Sequence, residues 1–277
     1  MSIPSSPVEH QYGRQGVLDA ILDALGRMGR EPGQLVPADL APVDSFHIRG
    51  REATVELADR AALKPGMAVL DVGCGLGGSA RYLASQYGCH VTGIDLTRAY
   101  LEAARRLTEL VGLDDRVEFC IADALNLPFK DAGFDVVWTE HTQMNIADKA
   151  MFYGEIARVL TPGGQLLLHD VFAGEAGPLR YYPVPWADDP SISFLAPAAT
   201  VRQLLEDRGL MIDHWIDTSD PSQAWFLKVL EMFDQTGPPP LGPHLLMGDN
   251  ARLKIENQLH NLREGRLAVV QAVARRH

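Results

Sequence analysis

The sequence predicts an α/β fold, a mostly parallel sheet with helices on both faces. Three observations carry this. Apolar runs rich in β-branched residues recur through the middle of the chain, stretches of helical periodicity separate them, and turn residues mark the joints. The strand-like runs cover 67–73, 90–95, 117–123, 134–140 and 165–172. Each is short and nearly continuous in apolar residues, as strands buried on both faces are. Helical periodicity fills 79–86, 98–111 and 149–160. "KPG" at 64–66 precedes the first strand, and "TPGG" at 161–164 separates a helix from the fifth.

Outside this centre the signals are sparser. An amphipathic helix is expected over 16–28, with Val17, Ile21, Leu25 and Met28 packing on one face. Residues 1–50 as a whole read as an N-terminal helical cap or lid. After Phe172 the alternation loosens. Residues 173–197 are rich in proline and aromatics and read as an excursion over the active edge of the sheet. A helix at 198–208, a strand at 211–217, C-terminal helices within 221–264 and a last strand at 266–274 follow.

The chain has 277 residues, 46% of them hydrophobic, enough for one sizeable core. No apolar run is long enough to span a bilayer, and the first residues lack a basic-then-apolar signal pattern. A cytoplasmic location with no membrane partner is the expectation. Lys and Arg number 25 against 36 Asp and Glu, a net charge of −11, which speaks against nucleic acid as a partner. Cys74, Cys89 and Cys120 lack ligand spacing, so they read as reduced core residues and no metal is expected. Oligomeric state stays open, and a homodimer is compatible with the sequence.

The stretch "VLDVGCGLGGSARYLA" at 69–84 is a strand ending in an acid, then glycines, then a helix. Glycines in that setting let the backbone approach a nucleotide. Gly73, Gly75 and Gly78 fit the dinucleotide pattern G-x-G-x-x-G. Gly73, Gly75 and Gly77 fit G-x-G-x-G behind Asp71, a pattern of S-adenosylmethionine binders. The other strand ends help to decide. Asp95, 24 residues after Asp71, suits two ribose hydroxyls, which either cofactor would use. Asp123 beside the free N–H of Ala124 matches the donor–acceptor edge of adenine, a more discriminating feature.

Taken in order, D-V-G-C-G-L-G-G, I-D-L, A-D-A-L-N-L-P-F, F-D-V-V-W and R-V-L-T-P-G-G resemble the class I S-adenosylmethionine-dependent methyltransferases, over roughly residues 51–172. F-H-I-R-G-R-E-A-T, H-T-Q-M-N-I-A-D-K and the tail E-G-R-L-A-V-V-Q-A are similar to the sarcosine/dimethylglycine N-methyltransferase group. The resemblance implies a Rossmann-like seven-stranded sheet whose last strand, near 267–273, is antiparallel, and a methyltransferase domain over 51–277. It implies S-adenosyl-L-methionine as cofactor, with S-adenosyl-L-homocysteine as product. Gly73, Gly75 and Gly77 would pass the methionine part and Asp71 its amino group. Asp95 would hold the ribose, Asp123 and Ala124 the adenine, and Leu96 its face.

His141, after the fourth strand, is a candidate for both cofactor contact and proton acceptance, and His169, ending the fifth, is a second catalytic candidate. Tyr12, His47, Trp186 and Trp225 are candidates for the acceptor pocket, and either His47 or Arg51 for a cofactor carboxylate. Transfer from a sulfonium is an in-line displacement that needs alignment more than acid–base machinery. The leading reading is N-methylation of a small, glycine-like amine. Methylation of carbon, sulfur or oxygen in a natural-product intermediate is the alternative. A nicotinamide oxidoreductase and a non-catalytic cofactor-binding protein come after these.

Overall fold

The computed structural model describes residues 7–12 and 16–277, so residues 1–6 and 13–15 of the expected cap lie outside the described residues. In chain order the elements are helices α1 (Pro7–Tyr12), α2 (Val17–Arg27), α3 (Pro37–Asp44) and α4 (Gly50–Ala58), then β1 (Ala68–Val72), α5 (Gly78–Tyr87), β2 (His90–Asp95), α6 (Arg98–Leu110), β3 (Val117–Ile121) and β4 (Phe134–Glu140). They continue as α7 (Lys149–Val159), β5 (Leu160–Ala173), α8 (Ala198–Glu206), β6 (Leu210–Asp217), α9 (Ser219–Thr236), α10 (His244–Met247), α11 (Ala251–Arg263) and β7 (Leu267–Arg276).

The seven strands form one sheet in the order β3-β2-β1-β4-β5-β7-β6. Neighbours from β3 to β5 are parallel, and β7 runs antiparallel to both β5 and β6, as expected. Strand order reverses between β1 and β4, which opens a crevice at their carboxyl ends.

The two faces of the sheet follow from alternation along each strand. Leu70 and Val72 of β1 join Val137, Leu168 and Phe172 beneath Phe152, Ile156 and Leu205 of α7 and α8. Val69, one residue out of phase, joins Val91, Trp138 and Leu167 against Leu57, Leu83 and Leu101 of α4, α5 and α6.

A third core fixes the N-terminal segment. Val17, Ile21 and Leu25 of α2 and Leu40 and Val43 of α3 pack with Tyr100 and Leu107 of α6 and with Leu241 and Leu246. Met28 departs from the expected stripe. It lies past the end of α2 and is 45% exposed. "TPGG" also behaves differently from a simple separator. Leu160 already pairs with Phe134, and the register shifts before Val136 meets Gln165, so the turn bulges within one strand assignment. Among the described residues no helix is long and apolar enough to cross a membrane.

Candidate functional site

At the carboxyl ends of β1, β2, β3 and β4 the chain leaves a cavity of about 350 Å3. The glycine turn after β1 forms one wall, and its three alternating glycines, all at positive φ, are there for different reasons. A Cβ on Gly73 would stand 2.2 Å from Thr142 Oγ1, and one on Gly77 would strike the Phe119 ring. Those two positions are small because protein packs against them. A Cβ on Gly75, at φ +51, meets nothing within 4 Å, and Gly75 lines the cavity. Only there is the missing side chain owed to open space. Gly77 does not line the cavity, so the expectation that all three pass a ligand is corrected at that position.

Asp71, 2% exposed, lines the same wall, and its Oδ2 has no hydrogen-bond partner among the described residues. Burial pushes its carboxyl well above the ordinary range, and Glu140 and Asp95 add to this. A buried carboxylate oxygen without a donor is uncommon and suits an incoming cation. Asp95 is already engaged, because Oδ2 accepts the Gly75 N–H at 3.0 Å and Oδ1 the Thr97 N–H at 2.8 Å. It therefore shapes the glycine turn as well as facing the cavity. Asp123 Oδ1 accepts the Leu125 N–H at 2.9 Å, and Asp123, Ala124 and Leu125 face Leu96 across an apolar slot.

Three segments cover the cavity, and Asn145 joins them. Tyr12 Oη donates to Asn145 Oδ1 at 2.9 Å, while Asn145 Nδ2 donates to the carbonyls of Trp186 at 3.0 Å and Ile192 at 2.8 Å. Tyr12 and Trp186 both line the cavity, and Trp186 Nε1 donates to Ser193 Oγ at 3.0 Å. Lys149 adds a second tie. Its buried ammonium donates to the carbonyls of Gln143 and Phe194 at 2.6 Å, and burial lowers its pKa to about 8.

A second cavity of about 180 Å3 adjoins the first and shares Phe46, His47, His141 and Pro185 with it. Its remaining walls are mainly apolar. They include Trp225, Phe226 and Phe233 of α9, and Met247 and Ile255 beyond. Among the described residues no Lys, Arg, Asp or Glu lines it.

Three histidines gather where the cavities meet, with ring centroids 5.0 Å apart for His141 and His169, 5.6 Å for His47 and His169, and 6.0 Å for His47 and His141. Their situations differ. His47 Nε2 lies 2.9 Å from Gly50 O and 3.3 Å from Glu140 Oε1. Glu140 is buried and accepts from Trp138 Nε1 at 2.9 Å, from Thr54 Oγ1 at 3.2 Å and from Ser79 Oγ. Burial works to raise its pKa, but His47, His169 and these donors outweigh it and hold the carboxyl below its ordinary value. His141 sits at φ +49, a conformation rare for a side-chain-bearing residue, and its buried Nε2 has no partner. Burial, then His169 and His47, push its pKa well down. His169 is fully buried, holds Ile48 O at 3.0 Å through Nε2 and lines neither cavity, which corrects its placement as a catalytic residue.

Tyr12, His47, His141, Trp186 and Trp225 are therefore brought to the two cavities, together with Asp71, Gly73, Gly75, Asp95, Leu96, Asp123 and Ala124. Arg51 lines neither. Its Nη2 approaches Asp44 at 3.6 Å and its guanidinium lies over the Tyr82 ring. Glu140 is expected at the site only as a strand-end residue with no role, and Ser79 and Asp44, which also line the first cavity, are not expected there. Glu140 is legible only as the acid ending a strand. Asp44 carries no such signal. Among the described residues no group of His, Cys, Asp and Glu could hold a metal ion.

Residues 70–168 match the methyltransferase domain family. Over 133 residues, 48% of each chain, the sequence is 39% identical to the methyltransferase GfsG of Streptomyces halstedii. It is 32% identical over 184 residues, 66% of this chain and 32% of the other, to the glycine/sarcosine/dimethylglycine N-methyltransferase of Actinopolyspora halophila. The chain spans about a third to a half of the length of the curated relatives it matches. In fold it is similar to a geranyl diphosphate C-methyltransferase from Streptomyces coelicolor A3(2), with TM-score 0.70, 17% identity and 100% of both chains covered. Residues 70–168 therefore match the methyltransferase domain family, on a sheet whose fold is similar to that of solved methyltransferases.

Proposed function

We propose that the first cavity takes S-adenosylmethionine, that the second takes a small methyl acceptor, and that the protein transfers the methyl group between them. One observation carries this reading: Asp71 Oδ2 is buried, unpartnered and in the wall beside the open face of Gly75. That corner suits an α-ammonium group. Asp95 keeps lone pairs for ribose hydroxyls beyond the two N–H groups it accepts, since a carboxylate offers about four. Asp123 with the Ala124 N–H suits the adenine edge, with Leu96 against its face. When bound, the cofactor supplies an electrophilic methyl on a sulfonium. The chain's part is to align the acceptor and exclude water, which the Asn145-linked cover and the apolar second cavity are built to do.

The second cavity also bears on the acceptor. A glycine-like zwitterion calls for a cation to receive its carboxylate, and among the described residues no Lys or Arg lines either cavity. The walls suit an uncharged, aromatic or aliphatic body, so the oxygen or carbon alternative fits better than the small amine. N-methylation remains the second reading, favoured by the similarity to the Actinopolyspora halophila enzyme over 66% of this chain. Calorimetric titration with S-adenosylhomocysteine, on wild type and Asp71→Asn, tests the cofactor site. Mass spectrometry of methylated products from glycine, sarcosine and a series of 4-alkylphenols tests the acceptor. No binding by the wild type would remove the reading, and methylation of glycine alone would restore the amine.

A further inference from the structure

We propose that His47 is the catalytic base of the second cavity, positioned by Glu140, and that the acceptor presents an ionisable aromatic hydroxyl, a phenol. The proposal rests on the reading of the two cavities given above.

The protonation of the His47 ring follows from its neighbours. Nε2 faces Gly50 O at 2.9 Å and Glu140 Oε1 at 3.3 Å, both acceptors only, and the Thr54 hydroxyl at 3.0 Å, whose own proton goes to Glu140, so Nε2 carries the ring proton. In the neutral ring Nδ1 then holds the basic lone pair, and among the described residues no hydrogen bond engages it. His47 lines both cavities, so this lone pair belongs to the residue where donor and acceptor meet. Glu140 is held from three other directions by Trp138, Ser79 and Thr54. Such a carboxylate is fixed in place and stays ionised, which suits it to orient an imidazole and to stabilise its cation.

The other candidates lack this arrangement. His141 has no acceptor to orient its ring, and burial beside two other histidines favours its neutral form. His169 lines neither cavity. The groups around His47 are Glu140 on β4, the rings of His141 and His169 at 6.0 and 5.6 Å, and His244 across the second cavity. Among the described residues Glu140 is the one anion within ion-pair distance of the His47 ring.

The acceptor chemistry follows from the walls and the base. Trp225, Phe226, Phe233 and Phe46 line the second cavity, and such aromatic walls suit an aromatic body. A phenol has a pKa of about 10, so at neutral pH it needs a base, and an imidazole is close enough in pKa to serve. In the transfer the O–H proton passes to His47 Nδ1, the oxygen forms the bond to the methyl carbon, and the carbon–sulfur bond breaks with its electron pair staying on sulfur. One positive charge disappears at sulfur and one appears on His47, beside Glu140. The imidazolium then returns its proton to solvent.

The test uses the whole protein with S-adenosylmethionine and a series of 4-alkylphenols from ethyl to octyl. Products are read by mass spectrometry from pH 6 to 10. His47→Gln is expected to lower kcat at pH 7 by about 100-fold and to recover most of it as the phenolate forms near pH 10. Because His47 also lines the first cavity, kcat is read at saturating S-adenosylmethionine, so that weaker cofactor binding does not lower it. Glu140→Gln should move the acid limb of the pH–rate profile to lower pH, and Glu140→Asp should restore it in part. If that limb does not move, Glu140 is only structural and its positioning role is overturned. Undiminished rate in His47→Gln at pH 7, or an equal loss at every pH, overturns the base. A wild type that binds S-adenosylhomocysteine yet methylates no phenol in the series overturns the acceptor class. Failure of the wild type to bind S-adenosylhomocysteine instead removes the cofactor reading beneath both.

Discussion

Arg81 Nη2 donates to Asp44 Oδ2 at 2.8 Å with both side chains fully shielded, tying α5 behind the glycine turn to the end of α3. The same guanidinium holds Leu76 O at 2.6 Å and Thr108 Oγ1 at 3.0 Å. Asp44→Asn removes the counter-charge and leaves a buried cation with neutral partners. A loss of about 3 kcal/mol of unfolding free energy is expected, read by urea denaturation. Asp44 also lines the first cavity, so S-adenosylhomocysteine affinity should fall in the same variant. A variant as stable as wild type would show the pair to be replaceable.

Gly75→Ala and Gly77→Ala should separate binding from folding. Gly75→Ala carries a left-handed strain of about 1–2 kcal/mol and adds a methyl where only ligand would be. The protein should fold, with affinity for S-adenosylhomocysteine reduced at least about tenfold. Gly77→Ala meets Phe119 and should lower the melting temperature more than Gly75→Ala does. Calorimetry and thermal melts on both variants decide it, and equal effects on binding would contradict the distinction.

Asp95→Ala should cost both affinity and stability. Two backbone N–H groups, of Gly75 and Thr97, lose their acceptor, which costs about 1–3 kcal/mol of stability. From its strand-end position alone Asp95 reads as a ligand group whose loss spares the fold. An unchanged melting temperature would favour that simpler role.

Acidification should act through His169. Burial lowers its pKa from 6.5 to about 4, so between those values the unfolded chain binds the proton and the native one does not. Stability therefore falls as pH drops through this window, by up to about 3 kcal/mol. Asp170, raised to about 6 by burial, opposes it, since its native form takes a proton where the unfolded form does not. The comparison with His169→Gln isolates the histidine. Between pH 7 and pH 5 wild type should lose about 2 kcal/mol more than the variant. Equal losses would show that His169 does not titrate this way.

Trp225→Ala should leave S-adenosylhomocysteine affinity intact and raise KM for an aromatic acceptor about tenfold or more, because its ring walls only the second cavity. Parallel loss of both affinities would mean that the cavities do not act separately.

The parallel centre was legible because strands buried on both faces announce themselves as continuous apolar runs. His90–Asp95 and Phe134–Glu140 end where the sequence places them. That Asp71, Asp95 and Asp123 would line one cavity was legible for the same reason, since strand ends gather at one edge. What escaped lies where sequence neighbours say little. Glu140 and His47 are 93 positions apart and meet only through the packing of α4 against the sheet. His141 and His169 both end strands and read alike. Only burial and partners separate them, one lining both cavities and the other bonded to Ile48 O. The short helices α3 and α4 gave no long apolar period, and α3 carries Pro42 inside it.

The three glycines of the turn answer to different kinds of selection. A descendant of this chain that stopped using the first cavity would still be held to glycine at 73 by Thr142 and at 77 by Phe119, because replacing either disturbs the fold itself. Position 75 would be released to drift, limited only by its φ of +51, toward the asparagine or aspartate that tolerate that conformation. Two-thirds of the pattern would thus outlive the activity, and the middle glycine is the one whose loss would mark a retired site.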